Sequence, residues 1–261
     1  MELPIYQIDV FTDRLFAGNP AAVCPLPRWL KDTTMQAIAA ENNLSETAFF
    51  LPEGEGYRLR WFTPTVETSL CGHATLASAF VISHFLEPGR DEMHFETRSG
   101  RLTAMRDQDC FELNFPILPA RPISDPAVGD AMRQQPRELY LSRPFLAVYD
   151  TADDVARLRP DLPAVAALKG DGVLATAPGL NGVDYVARYF APGAGIPEDP
   201  ATGYSHCVLM PYWSARLGRA SLAGRQISVR GGDFRCELAG NRVRIAGKAV
   251  CYLKGSMFVD D

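Results

Sequence analysis

Apolar and polar residues alternate over many short stretches of this chain, and a period of two predicts strands. Turn residues, such as Gly-Asn-Pro at 18–20, separate several of these stretches. Residues 29–42 have helical spacing instead, and residues 153–168 predict one helix or two short ones broken by prolines. The predicted strands cover residues 6–10, 21–24, 48–51, 57–64, 94–97, 102–106, 110–115 and 185–192.

Two further helices are apolar on nearly every side. The first begins at Gly72 and runs to about residue 85, and the second occupies residues 208–217. Because a helix that is apolar all round is normally buried, each is predicted to be a central helix surrounded by strands. Asp199 and Thr202 are candidate caps for the second helix, and Pro200 suits its first helical position.

The chain also contains a repeat. The pattern Tyr-x-x-Arg-aromatic-Phe-x-Pro begins at Tyr57 and again at Tyr185. The glycine near the start of the first helix, Gly72, is matched by Gly203 near the start of the second, at almost the same offset. Nearly equal offsets across a strand and a helix start indicate an internal duplication.

This repeat predicts an α+β fold of two pseudo-symmetric, barrel-like halves, each a curled, mostly antiparallel sheet around a central helix. Four prolines in residues 116–126 indicate that this segment connects the two halves. The predicted halves are residues 1–118 and 119–261, and the last strand could pack on the N-terminal half. The helix starts at Gly72 and Gly203 would face one cleft, where bare backbone N–H groups suit a small anionic metabolite.

Composition narrows the possible functions. The 261 residues are 47% hydrophobic and 22% charged, with a net charge of -5, which argues against a nucleic-acid partner. The chain lacks an apolar stretch long enough for a membrane span and a recognisable signal peptide, so we expect a cytoplasmic protein. Six widely spaced cysteines predict free thiols. The spacing of the four histidines predicts no metal site.

Several motifs in a fixed order resemble those of the PhzF-like phenazine-biosynthesis isomerase family, in the diaminopimelate-epimerase-like superfamily. The resemblance extends over essentially the whole chain. The motifs are residues 16–20 (FAGNP), 41–49 (ENNLSETAF), 62–64 (FTP), 70–75 (LCGHAT) and 198–203 (EDPATG).

The resemblance implies two barrel-like halves with a site between them, a homodimer, and neither a metal nor an organic cofactor. It also implies an isomerase that shifts a proton on a small carboxylic acid similar to dihydro-hydroxyanthranilate. Glu46 corresponds to the family's proton-shuttling glutamate and Ser45 to the serine before it. His73 and Asp199 correspond to the residues that hold and polarise the substrate.

Three further residues are predicted to bind substrate: Gly72, Gly203 and Tyr204. The family usually has serine at the position of Tyr204, so a hydroxyl is kept here but is carried outward by a ring. This departure makes the phenazine precursor a questionable substrate for this chain.

Two alternatives stay open on the sequence. An epimerase or racemase would need two opposed bases, and Cys71 could be one of them. The second half has no cysteine at the corresponding helix start, which argues against this alternative. The same scaffold could also serve a non-catalytic metabolite-binding protein if Tyr204 blocked the cleft.

Overall fold

The computed structural model describes residues 1–260 and contains seventeen strands and six α-helices in that range. The strands of the first part are β1 (Glu2–Val10), β2 (Asn19–Pro25), β3 (Glu46–Glu53), β4 (Gly56–Phe62), β5 (Glu67–Thr68), β6 (Glu92–Thr97), β7 (Gly100–Asp107) and β8 (Cys110–Pro116). The later strands are β9 (Arg121–Pro122), β10 (Glu138–Leu141), β11 (Phe145–Val148), β12 (Val173–Pro178), β13 (Tyr185–Ala191), β14 (Ile196–Asp199), β15 (Ser221–Gln226), β16 (Gly232–Ala239) and β17 (Arg242–Phe258). The helices are α1 (Asp32–Asn42), α2 (Gly72–Val81), α3 (Pro126–Met132), α4 (Ala152–Arg157), α5 (Leu162–Ala167) and α6 (His206–Leu217).

The first of two compact units comprises Met1–Asn114 together with the segment from Ala246 onward. Strand β1 pairs antiparallel with β2, β2 parallel with β3, and β3 antiparallel with β4. The order continues with β4 parallel to β6, then antiparallel β6–β7 and β7–β8 pairs. Because β17 pairs with both β8 and β1, these strands close into a barrel.

The second unit, Phe115–Ile245, repeats this order of pairings. Strands β10 and β11 are antiparallel, β11 and β12 parallel, and β12 and β13 antiparallel. A parallel β13–β15 pair and an antiparallel β15–β16 pair follow. The repeated order agrees with the duplication that the sequence indicates, and the predicted fold class is confirmed.

Helix α2 is the central helix of the first unit. Every residue from His73 to Val81 is buried, and the helix packs against β1, β2, β3 and β7. A π-helical turn, Ile82–Leu86, continues it. The predicted helix over residues 72–85 therefore exists, and it is enclosed because it has no polar face to offer to water.

Helix α6 is the counterpart in the second unit, but its start differs from the prediction. Asp199 is the last residue of β14, opposite Tyr189, and does not cap a helix. Pro200 is not a first helical residue either, because a single 3-10 turn, Gly203–Ser205, comes before α6. Thr202 also makes no side-chain capping bond. Pairing with β13 takes Asp199 into a strand, so tertiary contacts overrule the local capping signal.

The predicted strands and the two short helices occur with local changes. Every predicted strand lies on an observed one, and residues 153–168 form two short helices, α4 and α5. Leu217 was predicted to be buried but is 38% exposed, because it lies in the last turn of α6. Helix α3 and the strands β5, β9 to β12 and β14 to β17 lie outside the predicted elements. Among the described residues, no helix has both the length and the apolar character needed to cross a membrane.

Candidate active site

Glu46 and Ser45 lie at the junction of helix α1 and strand β3. Helix α1 ends at Asn42, and Asn43 adopts the left-handed conformation (φ 48°) that reverses the chain there. Asparagine tolerates this conformation better than most residues. Strand β3 then begins with Glu46, which lies opposite Ala21 of the parallel strand β2. The sequence ENNLSE therefore fixes the entry of Glu46 into the barrel wall.

A tight turn before β2 supplies the partner of Ser45. Gly18 has φ 64°, and a β-carbon there would lie 2.1 Å from the carbonyl oxygen of Val10. Only glycine fits so close to another backbone. The turn places the buried Asn19 at the start of β2, where its side-chain oxygen accepts a hydrogen bond of 3.3 Å from the Ser45 hydroxyl.

His73 lies in the first turn of helix α2, directly after Cys71 and Gly72. The carbonyl of Cys71 accepts hydrogen bonds from the backbone N–H of Thr75 at 3.2 Å and from its hydroxyl at 2.6 Å. These bonds fix the start of the helix and hence the position of His73. The positive end of the helix dipole therefore also lies close to His73.

The barrel brings His73 and Glu46 together. His73 Nε2 lies 3.2 Å from Glu46 Oε2, and the two side chains are only 9% and 14% exposed. The atoms lie within ion-pair distance, although the contact does not have the geometry of a regular hydrogen bond. Burial lowers the pKa of His73 to about 4, so the imidazole is neutral at pH 7.

Cys71 contacts the other nitrogen of the same ring. Its Sγ lies 3.5 Å from His73 Nδ1, and both side chains are buried. Sulfur, nitrogen and carboxylate oxygens are all metal-ligating atoms, and those of Glu46, Cys71 and His73 lie within 4.8 Å of one another. The sulfur lies nearest Nδ1 and the carboxylate oxygen lies nearest Nε2, so the three groups meet at the imidazole ring.

Asp199, in the second unit, is held by two polar side chains. The Thr202 hydroxyl donates a 2.6 Å hydrogen bond to the Asp199 carboxylate. The fully buried Gln226 accepts from the Thr202 N–H at 2.8 Å and donates to the Asp199 carbonyl. Sequence reasoning missed Gln226, because a single glutamine at the end of a strand carries no local signal.

The last two predicted substrate-binding residues, Gly203 and Tyr204, lie in the 3-10 turn that follows. Gly203 is buried, and the Tyr204 ring lies 6.0 Å from the guanidinium of Arg143. Burial raises the pKa of Tyr204 to about 12, so its hydroxyl stays protonated at neutral pH. The structure thus brings Ser45, Glu46, Gly72 and His73 together in the first unit, and Asp199, Gly203 and Tyr204 together in the second. Their roles stay predictions.

The fold and these motifs agree with a known family. A family model described as phenazine biosynthesis-like protein (PhzC-PhzF) matches residues 8–255. The chain belongs to this family. It is similar to an uncharacterized isomerase of Pseudomonas aeruginosa, with 45% identity over 258 residues that cover 98% of this chain and 99% of that protein.

Two further relatives support the assignment. The phenazine biosynthesis-like domain-containing protein 1 of Mus musculus is 39% identical over 286 residues, which cover 98% of this chain and 99% of that one. The crystal structure of a PhzF family protein from Enterococcus faecalis has a TM-score of 0.97 at 43% identity, and covers 99% of this chain and 100% of that one. As a member of the PhzF family, the protein is an enzyme of the isomerase class.

Proposed function

We propose that this PhzF-family protein catalyses a cofactor-independent proton shift on a small carboxylic acid, with Glu46 as the general acid and base. The observation that carries the proposal is the buried pair in the first unit, where the Glu46 carboxylate and the neutral imidazole of His73 approach to 3.2 Å. A carboxylate that is removed from water and placed beside a neutral donor is suited to take a proton and to return it.

In this proposal Glu46 takes a proton from one carbon of the substrate and returns it to another. His73 stays neutral throughout, because its pKa is far below physiological pH, so it can offer one N–H to the carboxylate or to a substrate oxygen. The N-terminus of α2, at Gly72, favours a negative charge nearby, which supports an anionic substrate.

Solvent deuterium provides a direct test. The protein is incubated in heavy water with trans-2,3-dihydro-3-hydroxyanthranilate and with a panel of other small amino and hydroxy carboxylic acids, and deuterium entry is followed by mass spectrometry. We expect Glu46→Gln to lower the exchange rate by a factor of about 10² or more, the usual contribution of a general acid or base.

Glu41→Gln is the matched control, since it makes the same chemical change at an exposed position of the preceding helix, α1. This variant should exchange deuterium as fast as the wild type. Exchange at the wild-type rate in Glu46→Gln would show that Glu46 does not move the proton.

An epimerase with two opposed bases is the competing hypothesis, and the repeat speaks against it. Thr202 occupies the position in the second half that matches Cys71, and its hydroxyl is already bonded to Asp199. A threonine hydroxyl is a far weaker base than a thiolate. Inversion at a single carbon of the substrate, abolished by Cys71→Ser, would support the epimerase instead.

A further inference from the structure

The imidazole of His73 has a close polar neighbour at each of its nitrogens. Nε2 faces Glu46 at 3.2 Å, and Nδ1 faces the sulfur of Cys71 at 3.5 Å. All three residues are largely or fully buried, so water does not readily replace either partner. Each nitrogen of a neutral imidazole is either a donor or an acceptor, and the two roles are linked.

The chemistry of Glu46 decides which tautomer fits this arrangement. An ionised carboxylate can only accept a hydrogen bond. Beside an ionised carboxylate, a neutral imidazole is more stable with its proton on Nε2 than with a lone pair there, which leaves Nδ1 as a bare acceptor. The group opposite Nδ1 must then be a donor, and the thiol of Cys71 has an S–H to offer.

We propose that Cys71 is a positioning residue that donates its S–H to Nδ1 of His73 and so keeps the proton of the ring on Nε2, beside Glu46. The purpose of this contact rests on the proposed function of Glu46, whereas the hydrogen bond and the tautomer can be tested without any substrate. In this role the thiol stays protonated and never touches the reacting carbon.

This role differs from that of a catalytic thiolate. A base at Cys71 would have to lose its proton, and serine could not replace it. A positioning donor needs only an X–H group beside Nδ1, so serine should serve almost as well. Alanine leaves the buried Nδ1 without a donor, which frees the ring to change its tautomer.

The experiment is ¹⁵N NMR of the full-length protein labelled at histidine, at pH 7 and without ligand. The pKa of His73 is about 4, so the ring is neutral under these conditions and its two ¹⁵N shifts report the tautomer. The signals are assigned by their loss in His73→Gln. We expect the wild type and Cys71→Ser to show widely separated shifts with the proton on Nε2.

Cys71→Ala should bring the two shifts closer together, because the ring then samples both tautomers. Cys24→Ala is the matched control: it removes another buried thiol of the same unit and should leave the His73 signals unchanged. If a carboxylic acid substrate has been found, Cys71→Ala should lower its deuterium exchange rate roughly tenfold, and Cys71→Ser should restore it.

A wild-type ring protonated on Nδ1 would overturn the proposal, because the sulfur would then be the acceptor. Unchanged shifts in Cys71→Ala would overturn it as well. If alanine prevents folding, the wild-type tautomer still decides. Failure of the proposed function has a different signature, since Glu46→Gln would exchange deuterium at the wild-type rate whatever the tautomer of His73.

Discussion

Each unit has an equivalent arginine–glutamate ion pair just before the start of its central helix, but the side chains at the two helix starts differ. In the first, Nε and Nη2 of Arg60 on β4 each donate a 2.8 Å hydrogen bond to Glu67 on β5. In the second, Arg188 on β13 makes the same two-pronged contact with Glu198 on β14, at 2.7 and 2.8 Å. Each glutamate precedes the glycine that opens its helix start by the same spacing.

A serine hydroxyl repeats in the same way. Ser99 donates a 2.7 Å hydrogen bond to the carbonyl of Ser69, and Ser228 donates one of 2.7 Å to the carbonyl of Pro200. Both carbonyls belong to the turn between the short strand and the helix start. The framework that positions each turn is thus duplicated down to single hydrogen bonds.

The residues at the helix starts themselves have diverged. At matching positions of the repeat, Cys71 corresponds to Thr202 and His73 to Tyr204. In the first unit, Cys71 contacts His73, and His73 in turn lies beside Glu46. In the second unit, Thr202 donates a hydrogen bond to Asp199 instead. The comparison teaches that the scaffold was kept after duplication while the side chains at the helix starts diverged, as expected when function lies in the site and not in the fold.

The largest effect should come from breaking the ion pair of the second unit. Nη1 of Arg188 also donates to the carbonyls of Val155 and Leu158, at 3.2 and 3.0 Å, and its side chain is only 10% exposed. Arg188→Met leaves these carbonyls and Glu198 buried without this donor. We expect it to lower the free energy of unfolding in urea by about 3–5 kcal/mol.

Arg60→Met is the matching change in the first unit and should cost less, about 1–2 kcal/mol. Its other charged partner, Asp32, is 71% exposed, and Arg98 also contacts Glu67 at 2.7 Å and can keep that charge compensated. Equal losses in the two variants would mean that the two ion pairs are energetically equivalent despite their different surroundings.

The next effect concerns pH, and again the second unit should be more sensitive. Burial lowers the pKa of His206 to about 3 and that of His73 to about 4. Each pKa is below the unfolded value of about 6.5, so the unfolded chain binds the proton first as the pH falls. The contribution to stability is complete above about pH 6.5 and is lost between that pH and the folded pKa, by an amount on the order of 3 kcal/mol for His73 and somewhat more for His206.

His206→Phe should therefore flatten the decline of unfolding free energy with falling pH, measured in urea at several pH values. His94→Phe is the control, because it makes the same chemical change at a partly exposed position of the first unit. A variant that lacks His206 but shows the wild-type slope would contradict this account. The absolute loss is not diagnostic, since His206 also bonds the Tyr185 hydroxyl at 2.7 Å.

A smaller effect is expected at Gln226, whose side chain clamps Asp199 and Thr202 together by hydrogen bonds in the second unit. Thr97, near the matching position at the end of β6, bonds instead to the nearby carbonyl of Gly100. Gln226→Ala removes the bonds to Asp199 and Thr202, and we expect a loss of about 2 kcal/mol in thermal or urea unfolding. Thr97→Ala should cost about half as much. The reverse order would show that the clamp contributes little.

The smallest effects should be the most alike. Ser99→Ala and Ser228→Ala each remove one hydroxyl that donates to one carbonyl, so each should cost about 1 kcal/mol in urea unfolding. The Ser228 hydroxyl also accepts a 3.0 Å hydrogen bond from the Gly231 N–H, so its loss should be the larger by a few tenths of a kcal/mol. A larger loss at Ser99 would contradict this order.

The sequence by itself determined the repeat, the two apolar helices and the family motifs. These are local patterns: a period of two or of 3.6, a glycine before an apolar run, and a fixed offset between similar strands. It also placed Glu46 at a helix-to-strand junction, because Asn42, Asn43 and Ser45 are strong local signals. Such local patterns predict the folded structure correctly where no contact with a distant segment favours another conformation.

Only the tertiary structure decided which side chains meet. Glu46 and His73 are far apart in the chain, and they touch because parallel pairing of β2 with β3 and enclosure of α2 by the barrel bring them to one place. Tertiary pairing likewise turned Asp199 from a predicted helix cap into the end of a strand. Contacts between distant segments depend on packing and register, and these leave no mark in the local pattern of residues.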